Sequence, residues 1–416
     1  MVIAAIFCYN QPMIKSSELI LPGGDLERVK IAFEYGADAV YVGLNKYSLR
    51  KAEVRFDLAE ISEAIAYAHK INKRLFVTFN IFAHNEHLED LESDMQRISK
   101  FNPDAFIISD PGVFAISQRV AHRIPIHLST QANTVNIESV KFWRKNGVKR
   151  IVLARELTLD EIKEIHKSVP EMELEIFVHG AMCISYSGRC LLSSYMSGRS
   201  ANLGKCTQPC RWEYKIYLEE KKRPGQFHQI EESESGTNIM GSKDLRLIRH
   251  LTEILDSGVT GLKIEGRNKS EYYLATTAKA YKEALLLIKN GEYREKNKKN
   301  LEAELEKLNH REYTTGFIFN DAKLGEISVN RSQKKSWDYV GIVVEKNNIV
   351  TVKNKLKVGD TIEILTPHKN HQEEILGLLD MNDHSLNEVN PGTKNQKALV
   401  KLSKMYPINS LLRKKI

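Results

Sequence analysis

Four cysteines stand close together near the middle of the chain of 416 residues, while a fifth, Cys8, stands alone. The clustered four are Cys183, Cys190, Cys206 and Cys210. Four thiolates can hold either a tetrahedral zinc ion or a [4Fe-4S] cluster. Structural zinc sites usually pair cysteines two to four residues apart, and only Cys206 and Cys210 come near that spacing. The irregular spacing favours an iron–sulfur cluster, with zinc and unligated thiols as the alternatives.

Basic residues are interspersed with these cysteines, four of them within 23 residues. They are Arg189, Arg199, Lys205 and Arg211. Guanidinium and ammonium groups bind carboxylates and phosphates through charge-assisted hydrogen bonds. Any one of these side chains is readily explained as a solvated loop charge. Together they predict an electropositive site that binds an anionic substrate.

A histidine, His179, directly follows an apolar run and lies four residues before Cys183. We predict a catalytic role for it. A Cys183–His179 pair is also compatible with a cysteine peptidase, because a thiolate nucleophile needs only a nearby base. The sequence lacks other hydrolase signatures: His84 and His87 do not have zinc-peptidase spacing, and there is no Gly-x-Ser-x-Gly motif.

Short apolar runs alternate with amphipathic helical segments through the first 270 residues. This alternation predicts parallel strands that are buried on both faces. Eight such units in about 250 residues predict an α/β fold, a (β/α)8 TIM-like barrel, with an open doubly wound sheet as the alternative. Thr158 is a plausible cap for one of the helices, residues 159–168. The predicted strands are Glu18–Pro22, Ala39–Gly43, Leu75–Asn80, Ala105–Asp110, Ile126–Gln131, Arg150–Glu156, Leu174–Gly180 and Gly261–Arg267.

Polar residues end most of these strands, and in a barrel they converge at the carboxyl face, where barrel enzymes build their sites. They are Asn80, Asp110, Gln131, Asn133, Glu156, His179, Glu265 and Arg267. The predicted catalytic residues are His179, Glu265 and Arg267. The predicted substrate contacts, besides the four basic residues above, are Asn80, Gln131 and Glu156. The long connection between strands seven and eight, residues 181–260, brings the cysteines to the same face.

The remaining sequence predicts further domains. Residues 1–17 are an N-terminal lead-in, 18–270 the barrel, 271–335 a helical connector, and 336–416 a small β-barrel of short strands without intervening helices. Residues 331–416 carry 15 Lys and Arg against 9 Asp and Glu, so most of the net charge of +8 lies there. A basic module fits a polyanion such as nucleic acid, or is simply a well-solvated domain.

Composition excludes several other classes of protein. With 42% hydrophobic and 27% charged residues, the chain is a globular protein and not a disordered one. No apolar run has the roughly 18 residues that a membrane span requires, and the apolar start lacks the basic region and cleavage site of a signal peptide. We therefore expect a cytoplasmic protein without a membrane partner.

The stretch from Glu175 to Ser193, which contains His179, Cys183 and Cys190, resembles the signature of peptidase family U32, whose members were first labelled proteases or collagenases. Three further stretches, residues 204–212, 240–245 and 263–267, are similar to a subgroup of this family that acts on tRNA. The resemblance covers nearly the whole chain, including the predicted β domain.

The resemblance implies an iron–sulfur enzyme that converts the wobble uridine of tRNA to 5-hydroxyuridine. It also implies that the reaction needs no dioxygen and uses prephenate, a small dicarboxylate, as co-substrate. The anticodon region of tRNA is then the macromolecular partner, and a homologous U32 chain is a further candidate partner. Arg189, Arg199 and Arg267 are hypothetical clamps for the two carboxylates.

In related U32 proteins the first three cluster ligands match Cys183, Cys190 and Cys206. Some relatives have the fourth ligand beyond the region where this sequence has Ser242-Lys-Asp, and there this chain offers no cysteine. The resemblance therefore implies Cys210 as the fourth ligand. Two other functions stay open: a collagenase-like U32 peptidase, which is a hydrolase, and a non-catalytic RNA-binding iron–sulfur partner protein.

Overall fold

The computed structural model describes residues 17–44, 46–47, 56–182, 190–212, 217–219, 224–225, 227–229, 243–319, 334–392 and 396–416. Eight parallel strands, β1–β7 and β11, pair in chain order and close because β11 pairs with both β7 and β1. The predicted TIM-like barrel is thereby confirmed. The strands up to the barrel's closure are β1 Glu18–Pro22, β2 Ala39–Gly43, β3 Arg74–Phe79, β4 Ala105–Ile108, β5 Ile126–Leu128, β6 Arg150–Val152, β7 Glu173–Ala181, β8 Tyr217–Glu219, β9 Phe227–Gln229, β10 Asp244–Arg246 and β11 Gly261–Ile264.

Helices cover the outside of the barrel, and six of the described helices begin at a side chain that caps the first turn. The Thr158 side chain accepts a hydrogen bond from the backbone N–H of Glu161, whose carboxylate reaches back to Thr158, so this predicted cap is confirmed. None of the described helices combines the length and the apolar character that crossing a membrane requires. The helices are α1 Leu26–Glu34, α2 Leu58–Lys70, α3 Asn85–Ser99, α4 Pro111–Val120, α5 Ile137–Lys145, α6 Leu159–Ser168, α7 Leu192–Ser197, α8 Leu251–Asp256, α9 Glu271–Lys289 and α10 Glu295–Leu305.

The long connection between β7 and β11 folds back onto the barrel. Its strand β10 pairs antiparallel with the end of β7, and Arg246 lies opposite His179. On its other side β10 pairs in parallel with β12, Tyr313–Thr314. Helix α9, which falls in the predicted connector 271–335, packs against β1 and α1 as the eighth helix of the barrel.

The C-terminal residues form an antiparallel sheet of eight strands in the order β17-β16-β22-β13-β14-β21-β18-β19. The two edge strands do not pair with each other within the described residues, so the predicted small β domain is an open half-barrel. Its own apolar core contains Val343, Ile364 and Leu412. The strands of this domain are β13 Trp337–Glu345, β14 Ile349–Val352, β15 Leu356–Lys357, β16 Thr361–Leu365, β17 Asn370–Glu374, β18 Gly377–Leu379, β19 Ser385–Leu386, β20 Glu388–Val389, β21 Lys397–Lys401 and β22 Leu411–Lys415.

A buried arginine, Arg413 of β22, ties the half-barrel to the rest of the chain. Its guanidinium contacts Glu304 of α10 and Glu363 of β16, each at 2.5 Å, and donates to the Tyr272 hydroxyl of α9 at 3.3 Å. Nearby, Lys279 of α9 donates to the backbone carbonyl of Thr366 at 2.7 Å. Buried charges are stable only when paired, so these contacts fix the half-barrel against α9 and α10.

The amino-terminal half of the barrel interior also holds charges. Arg150 of β6, only 2% exposed, donates to Glu18 of β1 at 2.6 Å and to Glu175 of β7 at 3.3 Å. Glu175 is fully buried and accepts a hydrogen bond from Lys263 of β11 at 2.6 Å. Burial alone would raise the pKa of Glu175, but the charges of Lys263 and Arg150 hold that pKa below its ordinary value. We call these four residues the interior ion network.

We expect Arg150→Met to destabilise the protein by about 3–5 kcal/mol, because it leaves buried carboxylates without their counter-charge. Urea denaturation followed by circular dichroism measures the change in the free energy of unfolding. Arg119→Met is the matched control, since Arg119 forms an exposed ion pair with Glu92. Equal midpoints for the two variants would contradict a stabilising role for the interior ion network.

Candidate active site at the barrel mouth

The carboxyl ends of the barrel strands surround a cavity of about 100 Å3, which we call the mouth cavity. Most of the strands contribute a polar side chain to its wall. Because barrel enzymes assemble their sites at this face, the mouth cavity is the candidate active site. The polar residues that line it are Tyr41, Thr78, Asn80, Ser129, Thr130, Gln131, Arg155, Lys263, Glu265 and Arg267.

Three cations and one carboxylate, Glu265, line the mouth cavity. Lys263 is 4% exposed and lies 4.5 Å from the centroid of the Tyr41 ring. Arg267, also buried, donates to the hydroxyl of Thr78 at 3.4 Å, and the Arg155 guanidinium stacks 3.8 Å from the Phe177 ring centroid. This excess of positive charge favours an anionic ligand.

Lys263 is the link between the mouth cavity and the interior ion network. Burial lowers its pKa, and the hydrogen bond and charge of Glu175 oppose that shift. Glu265 and Arg267 lie two and four residues after Lys263, a spacing that matches the alternation of a strand, which directs every second side chain to one face. The three residues therefore present two cations and a carboxylate along one wall.

Neutral groups opposite these charges can orient a ligand. Asn80, directly after β3, donates through its amide nitrogen to the hydroxyl of Ser129 at 3.4 Å. Its amide oxygen is buried and accepts no hydrogen bond from the residues that the structure describes. Buried polar atoms normally have a partner, so this oxygen is suited to accept a hydrogen bond from a bound substrate.

The structure brings together four of the predicted site residues, Asn80, Gln131, Glu265 and Arg267, in the mouth cavity. Glu156 is partly buried and lies outside its lining; the preceding residue, Arg155, lines it instead. Sequence reasoning did not single out Arg155, Lys263 or Tyr41.

His179 lies apart from the mouth cavity, enclosed by tyrosine rings at 2% exposure. A register shift in the β7–β11 pair sets it opposite Ile264, which packs in the layer between strands and helices. A bulge of this kind re-aims the following side chain, here away from the barrel interior. The rings of Tyr273, Tyr281 and Tyr313 lie with centroids 5.6 to 5.9 Å from that of the imidazole.

The described part of the cysteine segment, residues 190–212, is a compact loop built around α7. Thr207 holds it together: its backbone N–H donates to the Ser193 hydroxyl at 3.1 Å, and its carbonyl accepts from the Trp212 indole at 3.0 Å. The loop touches the barrel face where the backbone N–H of Phe82 donates to the carbonyl of Asn202 at 3.2 Å. Phe82 lies two residues after Asn80 of the mouth cavity.

Three of the four predicted cluster ligands lie among the residues that the structure describes. Cys190, Cys206 and Cys210 are half-buried, and the backbone N–H of Gln208 donates to the Cys206 sulfur at 3.4 Å. Cys183 lies outside the described residues. Among those described, no group of three His, Cys, Asp or Glu side chains is arranged to hold a metal ion. The donor chemistry fits an iron–sulfur cluster, while the four-cysteine ligand set stays a prediction.

The four basic residues predicted from the cysteine segment do not belong to the described lining of the mouth cavity. Arg199 and Lys205 are exposed on the cysteine loop, away from the lining of the mouth cavity. Arg189 lies outside the described residues, and so does the side chain of Arg211. The cations that meet in the described site are therefore Arg155, Lys263 and Arg267, contributed by barrel strands and their ends.

Comparison with known proteins gives consistent matches over both parts of the chain. The model of peptidase family U32 matches residues 24–327, and that of the U32 C-terminal domain matches residues 335–413. The chain is 40% identical to "tRNA hydroxylation protein P" of Escherichia coli, over 85% of this chain and 87% of that one. It is 36% identical to an "uncharacterized protease" of Methanocaldococcus jannaschii, over 94% and 96%. It is 32% identical to the "23S rRNA 5-hydroxycytidine C2501 synthase" of Escherichia coli, over 84% of this chain and 52% of that one.

The buried imidazole of His179 generates a pH prediction. Burial, reinforced by the charges of Arg246, Lys269 and His310, lowers the pKa of His179 to about 3. In acid, the unfolded chain binds a proton at His179 that the folded chain does not bind. The free energy of unfolding therefore has its full contribution from His179 above the ordinary histidine pKa, and it falls as pH drops from about 6.5 towards 3.

Between pH 6.5 and 5 this single group should cost about 2 kcal/mol of stability. Urea denaturation at a series of pH values measures the slope, which His179→Gln should reduce. His122→Gln, at an exposed histidine, is the control and should keep the wild-type slope. An unchanged slope for His179→Gln would contradict the low pKa.

Proposed function

The chain belongs to peptidase family U32, and from that membership we propose that it is an enzyme that hydroxylates tRNA. The observation that carries the proposal is its 40% identity, over most of both chains, to a protein named for tRNA hydroxylation. A second relative, named as an rRNA 5-hydroxycytidine synthase, supports hydroxylation of a pyrimidine base as the type of reaction.

We further propose the wobble uridine as the target, 5-hydroxyuridine as the product, and prephenate as a co-substrate in a reaction without dioxygen. The mouth cavity suits a small dicarboxylate, because Lys263, Arg267 and Arg155 line it and can donate charge-assisted hydrogen bonds to carboxylates. The amide oxygen of Asn80 can accept a hydrogen bond from a hydroxyl group of the same molecule. A wobble base is unpaired in the free anticodon, so it reaches a recessed site without melting a duplex.

An iron–sulfur cluster on Cys183, Cys190, Cys206 and Cys210 completes the proposal. When bound, such a cluster supplies one-electron transfer or a site for substrate ligation at iron. The chain's own residues would hold it in the loop that contacts the barrel beside Asn80. The segment 331–416, which includes the half-barrel and carries most of the net positive charge, would bind tRNA phosphates with an affinity that falls as salt rises.

A U32 peptidase is the main competing function, and one relative is named an uncharacterized protease. The geometry of His179 speaks against a Cys183–His179 pair. An imidazole with a pKa of about 3, enclosed by tyrosines, is a weak base for activating a thiol. A non-catalytic RNA-binding role predicts tRNA binding without formation of hydroxylated uridine, so measuring that product distinguishes it from the proposed enzyme.

Replacing Arg267 with Gln should lower kcat/KM for prephenate about 10- to 150-fold, the effect of losing a charged hydrogen bond worth about 1.5–3 kcal/mol. Hydroxylated uridine is measured by mass spectrometry of nucleosides from tRNA incubated anaerobically with limiting prephenate. Arg123→Gln, at an exposed arginine on the opposite face of the barrel, is the matched control. Equal activity in both variants would argue against the mouth cavity as the dicarboxylate site.

Replacing Cys206 with Ser should abolish cluster assembly, whereas Cys8→Ser should not. Anaerobically purified wild-type protein is expected to contain about four irons per chain and to absorb broadly in the visible range. Iron and sulfide analysis of the three proteins provides a readout that does not depend on activity. Stoichiometric zinc in the wild-type protein would indicate a structural zinc site in place of the proposed cluster. Thiols that titrate freely, with no metal bound, would overturn the proposal of redox chemistry.

A further inference from the structure

We propose that a second cavity, between the barrel and the half-barrel, binds an unpaired nucleotide that flanks the reacting one in the RNA substrate. This inference rests on the proposed function, in so far as RNA is the substrate. The cavity has a volume of about 310 Å3, at the lower end of the usual range for ligand sites, and we call it the junction cavity. Six of its lining residues carry the argument: Asp244, Lys269, Arg311, Lys335, Trp337 and Tyr339.

The junction cavity lies beside the mouth cavity. One loop, between β11 and α9, forms a wall of both: Glu265 and Arg267 line the mouth cavity, and Asn268, Lys269 and Ser270 line the junction cavity. In this loop the lining of the mouth cavity ends at Arg267 and that of the junction cavity begins at the next residue, Asn268. Because successive Cα atoms are about 3.8 Å apart, the two cavities lie close together. A continuous RNA strand can therefore occupy both.

An aromatic ring in the junction cavity offers a stacking surface. Trp337, at the start of β13, is half-buried, and the charged ends of Lys307 and Arg413 lie 4.9 and 5.4 Å from its ring centroid. Arg413 is itself fixed by its carboxylate partners, so the indole is held by a rigid support. Unpaired bases of RNA are recognised chiefly by stacking on such rings.

A buried acceptor in the same cavity calls for a hydrogen-bond donor. Asp244 is 8% exposed; its Oδ2 accepts from the backbone N–H of Arg311 at 3.1 Å, while its Oδ1 is buried without a partner in the described part of the chain. The hydroxyl of Tyr339 is likewise buried and unpaired there. Base N–H groups and the ribose 2′-hydroxyl are donors that can satisfy Asp244.

The charges decide between a nucleotide and a simple anion. Lys269, Arg311 and Lys335 supply positive charge for a phosphate, and Lys335 is paired with Asp338 at 2.5 Å. A free phosphate or dicarboxylate would meet the carboxylate of Asp244 at close range and be repelled. A nucleotide combines an anionic group for the cations with N–H or O–H donors for Asp244, so it matches both parts of the lining.

The occupant is a flanking nucleotide because the predicted redox groups lie elsewhere. The described cysteines do not contribute to the lining of the junction cavity, and the cysteine loop contacts the barrel at Phe82, after β3. The junction cavity is instead built from the β11–α9 loop, the segment after α10 and the start of the half-barrel. It would hold a neighbouring base while the target base enters the mouth cavity.

The test measures binding of a fluorescein-labelled tRNA anticodon stem-loop by fluorescence anisotropy, with the full chain. Trp337→Ala should raise Kd about 5- to 150-fold, the usual effect of losing one stacked base, and Trp337→Phe should restore most of the affinity. Phe142→Ala, at an exposed aromatic residue on α5, is the matched control and should bind like the wild type. Thermal melting of each variant establishes that it is folded.

Lys335→Gln provides a second test, since Lys335 is exposed and its replacement should not disturb folding. Loss of one phosphate contact should reduce the slope of log Kd against log salt by about 0.7. Wild-type affinity in folded Trp337→Ala together with an unchanged salt slope in Lys335→Gln would overturn the inference, as would a wild type that does not bind the stem-loop.

The two proposals fail in different ways. If the stem-loop binds through Trp337 and Lys335 but no hydroxylated uridine forms with prephenate and a reconstituted cluster, the junction cavity stands and the proposed activity falls. If the wild type hydroxylates tRNA and folded Trp337→Ala matches it in both Kd and rate, the junction cavity falls and the activity stands.

Discussion

The interior ion network constrains how the strands of the barrel pair. Its four members, Glu18, Arg150, Glu175 and Lys263, come from four strands that meet around the barrel axis. In a water-poor interior each charge depends on its neighbours, so the strands can pair only in the register that joins all four. The network ends at Lys263, whose ammonium group forms part of the mouth cavity. The contacts that hold these strands in register therefore also place a positive charge in the wall of the mouth cavity.

The connection between β7 and β11 contributes to three features at the carboxyl face of the barrel. By pairing β10 with the end of β7, it closes His179 inside a tyrosine cluster and places Asp244 in the wall of the junction cavity. The cysteine loop, from the same connection, reaches the opposite side of the mouth at Phe82. One inserted segment thus contributes to the cysteine loop, the half-barrel junction and the shielding of a histidine.

Sequence reasoning predicted the barrel well because each strand is a short apolar run bounded by polar residues. It predicted the mouth residues where a polar side chain ends a strand, as with Asn80 and Arg267. Lys263 was not predicted because it stands inside an apolar run, although its alternation with Glu265 and Arg267 was a usable signal. Two features depend on the register between strands, which a single sequence does not reveal. One is the bulge that turns His179 away from the barrel interior, and the other is that Arg155 lines the mouth cavity where Glu156 was predicted to do so.

The position of β22 in the half-barrel has a consequence for biosynthesis. This strand follows all the others of its sheet in the chain, yet it lies at the centre, between β16 and β13, and carries Arg413. Domains generally fold as they leave the ribosome, amino-terminal part first. The barrel strands and α9 are complete well before β22 is translated, so a nascent chain can close its barrel early. The junction between the half-barrel and the barrel, and with it the complete junction cavity, forms only after synthesis has passed β22.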